Sequence, residues 1–158
     1  FRRNFKKKKF DFIIYFRKNK NKGNDFLINA IEKLSKKFKV IVIGDSIPKY
    51  LKNKNILNYK NIKRKKALNY ISQSKNSIIS KENSLSFFAL DCVSYHLNIF
   101  HNINDKLNEA IKTNIFNTIK FDDLNYSIKK ITKNAASKKS SKYFKFKSDN
   151  FSDYLNSL

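Results

Sequence analysis

Ile13-Ile14-Tyr15-Phe16-Arg17-Lys18-Asn19-Lys20-Asn21-Lys22-Gly23-Asn24-Asp25-Phe26-Leu27 begins as an apolar run, breaks into a basic loop, crosses a glycine and enters an amphipathic segment. The run it closes, Phe10 to Phe16, is almost continuously apolar, as a strand buried on both faces requires. The segment it opens, Asp25 to Lys37, places Phe26, Leu27, Ala30, Ile31 and Leu34 on one helical face, with Asn24 or Asp25 available as its cap. Strand, loop and helix in this order form the repeating unit of a parallel sheet. Arg17 and Lys22-Gly23 therefore stand at the carboxyl end of a strand, where helix N-termini offer N–H groups to anions.

The same alternation continues along the chain. Lys39 to Asp45 is the clearest strand, stopped by a Gly-Asp turn, and Ile56 to Tyr59 is a shorter one. Arg64 to Ser74 reads as a helix with Ala67, Leu68 and Ile71 on one side. Ser77 to Ser80 is a brief strand, Ser84 to His96 a helix and Leu97 to His101 a strand. Asn104 to Lys112 and Asp122 to Lys133 are helical in pattern, with a strand at Asn117 to Phe121 between them. These elements predict an α/β fold, a doubly wound parallel sheet of Rossmann-like type with right-handed crossovers. Residues 1–134 form that domain; 135–158 read as a basic linker through Lys142, an aromatic-lysine alternation at Tyr143 to Phe146, and a closing amphipathic helix from Asp149.

Composition bounds the function. The 158 residues amount to one domain, 41% apolar and 15% aromatic, which is enough for a real core. The absence of Met reads as a fragment or processed piece. No apolar run approaches the roughly 18 residues that span a bilayer, and no signal peptide precedes the first strand. One cysteine, Cys92, forms no internal disulfide and suits a reducing, cytoplasmic setting. The net charge of +23 invites a nucleic-acid reading. However, Lys, Asn, Ile, Phe and Tyr are over-used together while Gly, Pro, Trp and Met are scarce, the signature of AT-rich codons, so most lysines read as solvated faces. Runs such as Lys6 to Lys9 can still draw the chain to an anionic membrane surface.

A second strand-to-helix turn carries acid instead of base: Ser80-Lys81-Glu82-Asn83-Ser84-Leu85-Ser86-Phe87-Phe88-Ala89-Leu90-Asp91. Two cations at one loop and two carboxylates at another suit a ligand with a diphosphate at one end and hydroxyls at the other, the shape of a nucleotide-sugar. N–H groups from Asn83 to Ser86 open the helix towards the diphosphate, and Ser84 or Ser86 can add a hydroxyl. His96 and His101 lie far from any acidic or thiol cluster and predict no metal site. Cys92 reads as core. No P-loop or dinucleotide glycine motif is present, which argues against a kinase or dehydrogenase.

With these elements in place, the chain resembles the C-terminal, donor-binding half of a GT-B glycosyltransferase, nearest the family-four type. That family ends the first strand of this half in a Gly-Arg step, followed five residues after the Arg by Lys-Gly. Here Phe16-Arg17 stands in place of Gly-Arg, and Lys22-Gly23 falls at that step. Val40 to Asp45 resembles its second strand and Gly-Asp turn. Asn58 to Arg64 resembles the passage before its next helix, with Lys60 in place of Gly, and Ser77 to Phe100 resembles the region of its E-x7-E signature. Leu90-Asp91-Cys92 stands where the signature has Leu-Glu-Ala. Glu82 lies nine positions before Asp91, while strict spacing selects Asn83. Ser84-Leu85-Ser86 replaces the usual Gly-Phe-Gly, and His96 and Asn98 replace a Gly and a Pro.

The resemblance implies a glycosyltransferase fragment whose N-terminal acceptor domain is missing from this chain. Arg17, Lys22 and Gly23 would hold the diphosphate of a UDP- or GDP-sugar, and Asp91 would accept the ribose hydroxyls. Glu82 would face the sugar, with Asn83, Ser84 and Ser86 completing the donor site. Arg17, Lys22 and Glu82 would be the catalytic set, with no cofactor and no metal. The acceptor would be a glycan or a lipid-linked one, of surface-polysaccharide or lipopolysaccharide type, at the inner face of the membrane. The alternative class is a basic module for nucleic acid or anionic membrane, recognised by steep salt dependence and indifference to Glu82 and Asp91. A catalytically dead homologue kept as a scaffold is a third, separable by turnover of the full-length chain.

Overall fold

The computed structural model describes residues 8–81, 86–103 and 115–136. Six strands form one sheet, β1 (Phe10–Phe16), β2 (Val40–Gly44), β3 (Ile56–Lys60), β4 (Ser74–Ile78), β5 (Asn98–Asn102) and β6 (Phe116–Ile119), in the order β3-β2-β1-β4-β5-β6. Every pairing is parallel. The helices are α1 (Asn24–Ser35), α2 (Arg64–Ser72), α3 (Phe87–Ser94) and α4 (Leu124–Ala136). The chain runs outward from β1 to β3, then returns to the other side of β1 and runs outward again through β4 to β6. The doubly wound Rossmann-like α/β fold expected from the alternation is therefore present, with its topological switch between β1 and β4.

Strand alternation divides the core in two. Phe12, Ile14 and Phe16 of β1 pack with Val40 and Val42 of β2 and with Phe26, Leu27, Ala30, Ile31 and Leu34 of α1, and α4 closes this layer through Ile131. Ile13 of β1 and Ile41 and Ile43 of β2 face the other way, onto Ile71 of α2 and Ala89, Cys92 and Val93 of α3. The helical face read from the sequence at 26–34 is thus the buried one.

Several boundaries differ from expectation, each for a local reason. β4 starts at Ser74 rather than Ser77 because Ser74 and Asn76 are buried with hydrogen-bond partners. Ser74 Oγ donates to Tyr70 O at 2.9 Å, and Asn76 Nδ2 donates to Asp11 O at 2.8 Å. An asparagine ladder continues across the sheet: Asn98 donates to Asn76 (3.1 Å), Asn117 to Asn98 (2.6 Å) and Asn134 of α4 to Asn117 (3.0 Å). Paired amides lose little by leaving water. α3 is shorter than 84–96 at both ends. Ser86 caps it by accepting from Ala89 N, and it closes in a Schellman turn with His96 N bonded to Val93 O and Leu97 N to Cys92 O. His96 holds the left-handed position, φ +54°, that favours the glycine of the related pattern. β5 and β6 begin at Asn98 and Phe116, one residue from the expected Leu97 and Asn117, within ordinary variation at element ends. α4 continues through Ala136, so the stretch read as a linker from Ala135 begins inside a helix. The helix expected at 104–112 and the elements after Ala136 lie outside the described residues.

Candidate functional site: a cationic cleft at the switch point

After the paired strands β1 and β4 the chain turns to opposite faces of the sheet, into α1 and α3, and the segments beyond their carboxyl ends border a cleft of about 450 Å³. Arg17, Lys22, Arg64 and Asp91 supply its charged side chains, and Ser86 its hydroxyl. The floor is apolar, from Ile43, Ile62, Ala67 and Ile71, and Tyr15, Phe87 and Phe88 add aromatic surface. Among the described residues, three cations stand against one carboxylate, and concave, low-dielectric walls concentrate the field of such charges.

The loop after β1 is fixed at both ends. Asp45, just past β2, donates its N–H to Phe16 O (2.8 Å) and accepts Lys18 N–H on Oδ2 (2.9 Å). Between these anchors Arg17 is exposed, its Nε donating to Tyr15 Oη at 2.8 Å with the guanidinium over the same ring. Tyr15 in turn leans on Phe88 of α3, ring centroids 5.6 Å apart. A 3-10 turn over Lys20–Lys22, capped by Asn19, then delivers the chain to α1. Lys22 O accepts from Lys81 N at 3.1 Å, tying the loop after β1 to the loop after β4.

Gly23 has a structural duty at this junction. Its φ is +73°, and a β-carbon there would come 2.5 Å from the Phe121 ring, which stacks on Phe26 at 4.2 Å. It ends the 3-10 turn and precedes α1 directly, so neither Asn24 nor Asp25 serves as the expected cap. Gly23 is absent from the cleft lining, unlike Arg17 and Lys22.

Asp91 lies on α3 with its side chain 17% exposed, its Oδ1 accepting from Arg64 Nη2 at 3.0 Å. Arg64 also lies over the Phe87 ring, 5.3 Å from its centroid. Arg64 was not among the residues expected in the site. It opens α2, and the signal that could have found it is the scarcity of arginine, since only Arg2, Arg3, Arg17 and Arg64 occur. Ser86 lines the cleft, although its Oγ accepts Ala89 N–H as a helix cap. Glu82, Asn83 and Ser84 lie outside the described residues.

Other reactive groups stand apart from the cleft. Cys92 is fully buried, and burial pushes its thiol up to about 12, which keeps it protonated and unreactive at neutral pH. His101 is buried in β5 with its ring edge-on to Phe116. Among the described residues no cluster of three His, Cys, Asp or Glu side chains could hold a metal ion, and no helix is long and apolar enough to cross a membrane.

No family model matches the chain, and no curated protein matches it. Solved structures do match in fold. Sucrose-phosphate synthase from Thermosynechococcus elongatus superposes with a TM-score of 0.63 at 14% identity, over 93% of this chain and 41% of that one. The GtfA/B complex gives 0.65 at 11% identity, over 96% and 34%. T4 phage BGT in complex with UDP and Mn²⁺ gives 0.55 at 12%, over 98% and 45%. The chain therefore spans less than half the length of each of these neighbours. Its architecture is similar to the Rossmann-like half of GT-B glycosyltransferases, and these neighbours do not single out the family-four type.

Proposed function

We propose that the chain is the donor-binding domain of a glycosyltransferase, of the family-four type, and that a nucleotide-sugar occupies the cleft at the switch between β1 and β4. The observation that carries this reading is the meeting of Arg17, Lys22 and Arg64 with Asp91 around one cavity. The guanidinium of Arg17 and the ammonium of Lys22 face the diphosphate, and Asp91 accepts the ribose hydroxyls. Arg64 keeps the Asp91 carboxylate turned towards the cleft. The UDP held by the T4 phage neighbour supports a nucleoside diphosphate as the anchoring group.

In the transfer, the bond between the anomeric carbon and the β-phosphate oxygen breaks, and its electron pair leaves with the diphosphate. A new bond forms to an acceptor oxygen, whose proton passes to a base. Fixed cations at the departing phosphate stabilise the charge as it grows, with no metal in the scheme. Glu82, Asn83 and Ser84 complete the sugar side of this proposal, and Ser86 presents the start of α3. The acceptor, a glycan or lipid-linked molecule, is met by a second half-domain, so this chain alone binds donor and transfers nothing. The setting is cytoplasmic, at the inner membrane face.

Calorimetry with UDP, GDP and pyrophosphate tests the reading. Asp91→Asn is expected to weaken the better nucleotide by roughly tenfold, the loss of one charge-assisted hydrogen bond, and to leave pyrophosphate unchanged. A chain with no affinity for UDP or GDP contradicts it. The net charge favours the second reading, a basic nucleic-acid or membrane module, and polyanion binding that falls steeply with salt and ignores Asp91 would select it.

A further inference from the structure

On the opposite face of the sheet, Lys49, Lys52 and Lys60 border a second cavity, of about 470 Å³, together with Ser46 and Asn58. Its apolar wall, Ile47 and Ile56, belongs to the layer packed against α1, whereas the switch-point cleft opens on the layer of α2 and α3. The frame is built. Asn58 accepts Ile47 N–H at 3.1 Å and donates to the carbonyls of Val42 and Asp45 at 3.3 and 3.2 Å, which fixes the loop over the edge strand β3. Lys49 belongs to a 3-10 turn (Lys49–Leu51), Lys52 follows it, and Lys60 ends β3.

Two features separate this cavity from a merely solvated basic face. Among the described residues no carboxylate lines it, and none of the three ammonium groups is in an ion pair or a side-chain hydrogen bond. Lysines that guard an edge strand stand along the strand itself; here two of the three come from the neighbouring turn. Like charges around a concavity raise the local potential and draw an anion to it. Beside them Tyr50 is 74% exposed, an aromatic ring with a polar tip flanked by basic residues. That combination suits a membrane–water interface.

We propose that this cavity is an anion site that seats the phosphate of an anionic lipid headgroup, with Tyr50 lying in the interface next to it. The site is independent of the donor cleft and would anchor the chain at its β3 edge. The test is sedimentation of the chain with phosphatidylcholine vesicles, with and without phosphatidylglycerol. A Lys49→Gln, Lys52→Gln, Lys60→Gln triple variant is compared with a Lys65→Gln, Lys129→Gln, Lys133→Gln variant that removes the same charge from exposed positions of α2 and α4. The cavity triple is expected to lose about tenfold or more in partitioning, and the control triple less than about threefold, because charges beyond a Debye length from the leaflet contribute little. Tyr50→Ser, which leaves the charge unchanged, is expected to lose severalfold. Unchanged thermal midpoints in all three variants confirm that the fold is retained. Equal losses in the two triples would overturn the proposal, as would inorganic phosphate bound through these lysines without vesicle binding, or tighter attachment to duplex DNA lost in the same triple.

Discussion

Arg17→Ala is expected to weaken UDP or GDP binding by at least about tenfold while the thermal midpoint stays where it is. A hydrogen bond to a charged group contributes about 1.5–3 kcal/mol, which corresponds to roughly ten- to hundredfold in affinity. The side chain is exposed, and its contacts are with Tyr15 two residues back, so the fold does not depend on it. Arg17→Lys keeps the charge but not the planar fork, and should recover only part of the loss. Titration calorimetry beside a thermal melt reads both quantities. Equal nucleotide affinity in wild type and Arg17→Ala would remove Arg17 from the site.

The largest effect on stability is expected at Gly44. It ends β2 with φ +111° and sits in register with Phe16 of β1 and Lys60 of β3. A β-carbon there would collide with the Phe16 carbonyl oxygen, which also accepts the Asp45 N–H that anchors the loop after β1. That oxygen is backbone in a central strand and cannot swing aside. Gly44→Ala therefore combines a conformation that L residues rarely adopt with forced separation of two strands, at a cost of about 3 kcal/mol or more. For a chain of this size the midpoint should fall by about 6–12 °C. Gly23→Ala is the useful contrast. The obstacle there is the Phe121 ring, which can turn, so a loss of about 1–2 kcal/mol is expected. A melt of Gly44→Ala coincident with wild type would refute this account of the loop's anchorage.

The parts of the fold legible in the sequence are those where chemistry and burial agree. β1 and β2 are apolar on both faces and lie within a residue or two of where their side chains suggest. β4 hides its buried face in serines and an asparagine, because amide pairing across the sheet does what Val and Ile do elsewhere. Apolar periodicity reveals only the end of such a strand, which is why the sequence reading starts it at Ser77. Arg17, Lys22 and Asp91 were recognisable from their place after strands, and they share one cleft. Arg64 was not, because its partner Asp91 is 27 residues away and only the switch in strand order brings α2 beside α3. In the sequence Gly23 reads as a ligand contact, whereas in the structure it admits Phe121, nearly a hundred residues downstream.

In the proposed donor site one rim of the sheet gathers these charges around a nucleoside diphosphate. Amide chemical-shift mapping of the isotope-labelled chain during titration with UDP and GDP tests it most directly. Saturable shifts are expected at Arg17 to Lys22, at Arg64, and at Ser86 to Asp91, with the Lys49 to Lys60 edge left still. Shifts spread over the basic surface, or confined to that far edge, would contradict it.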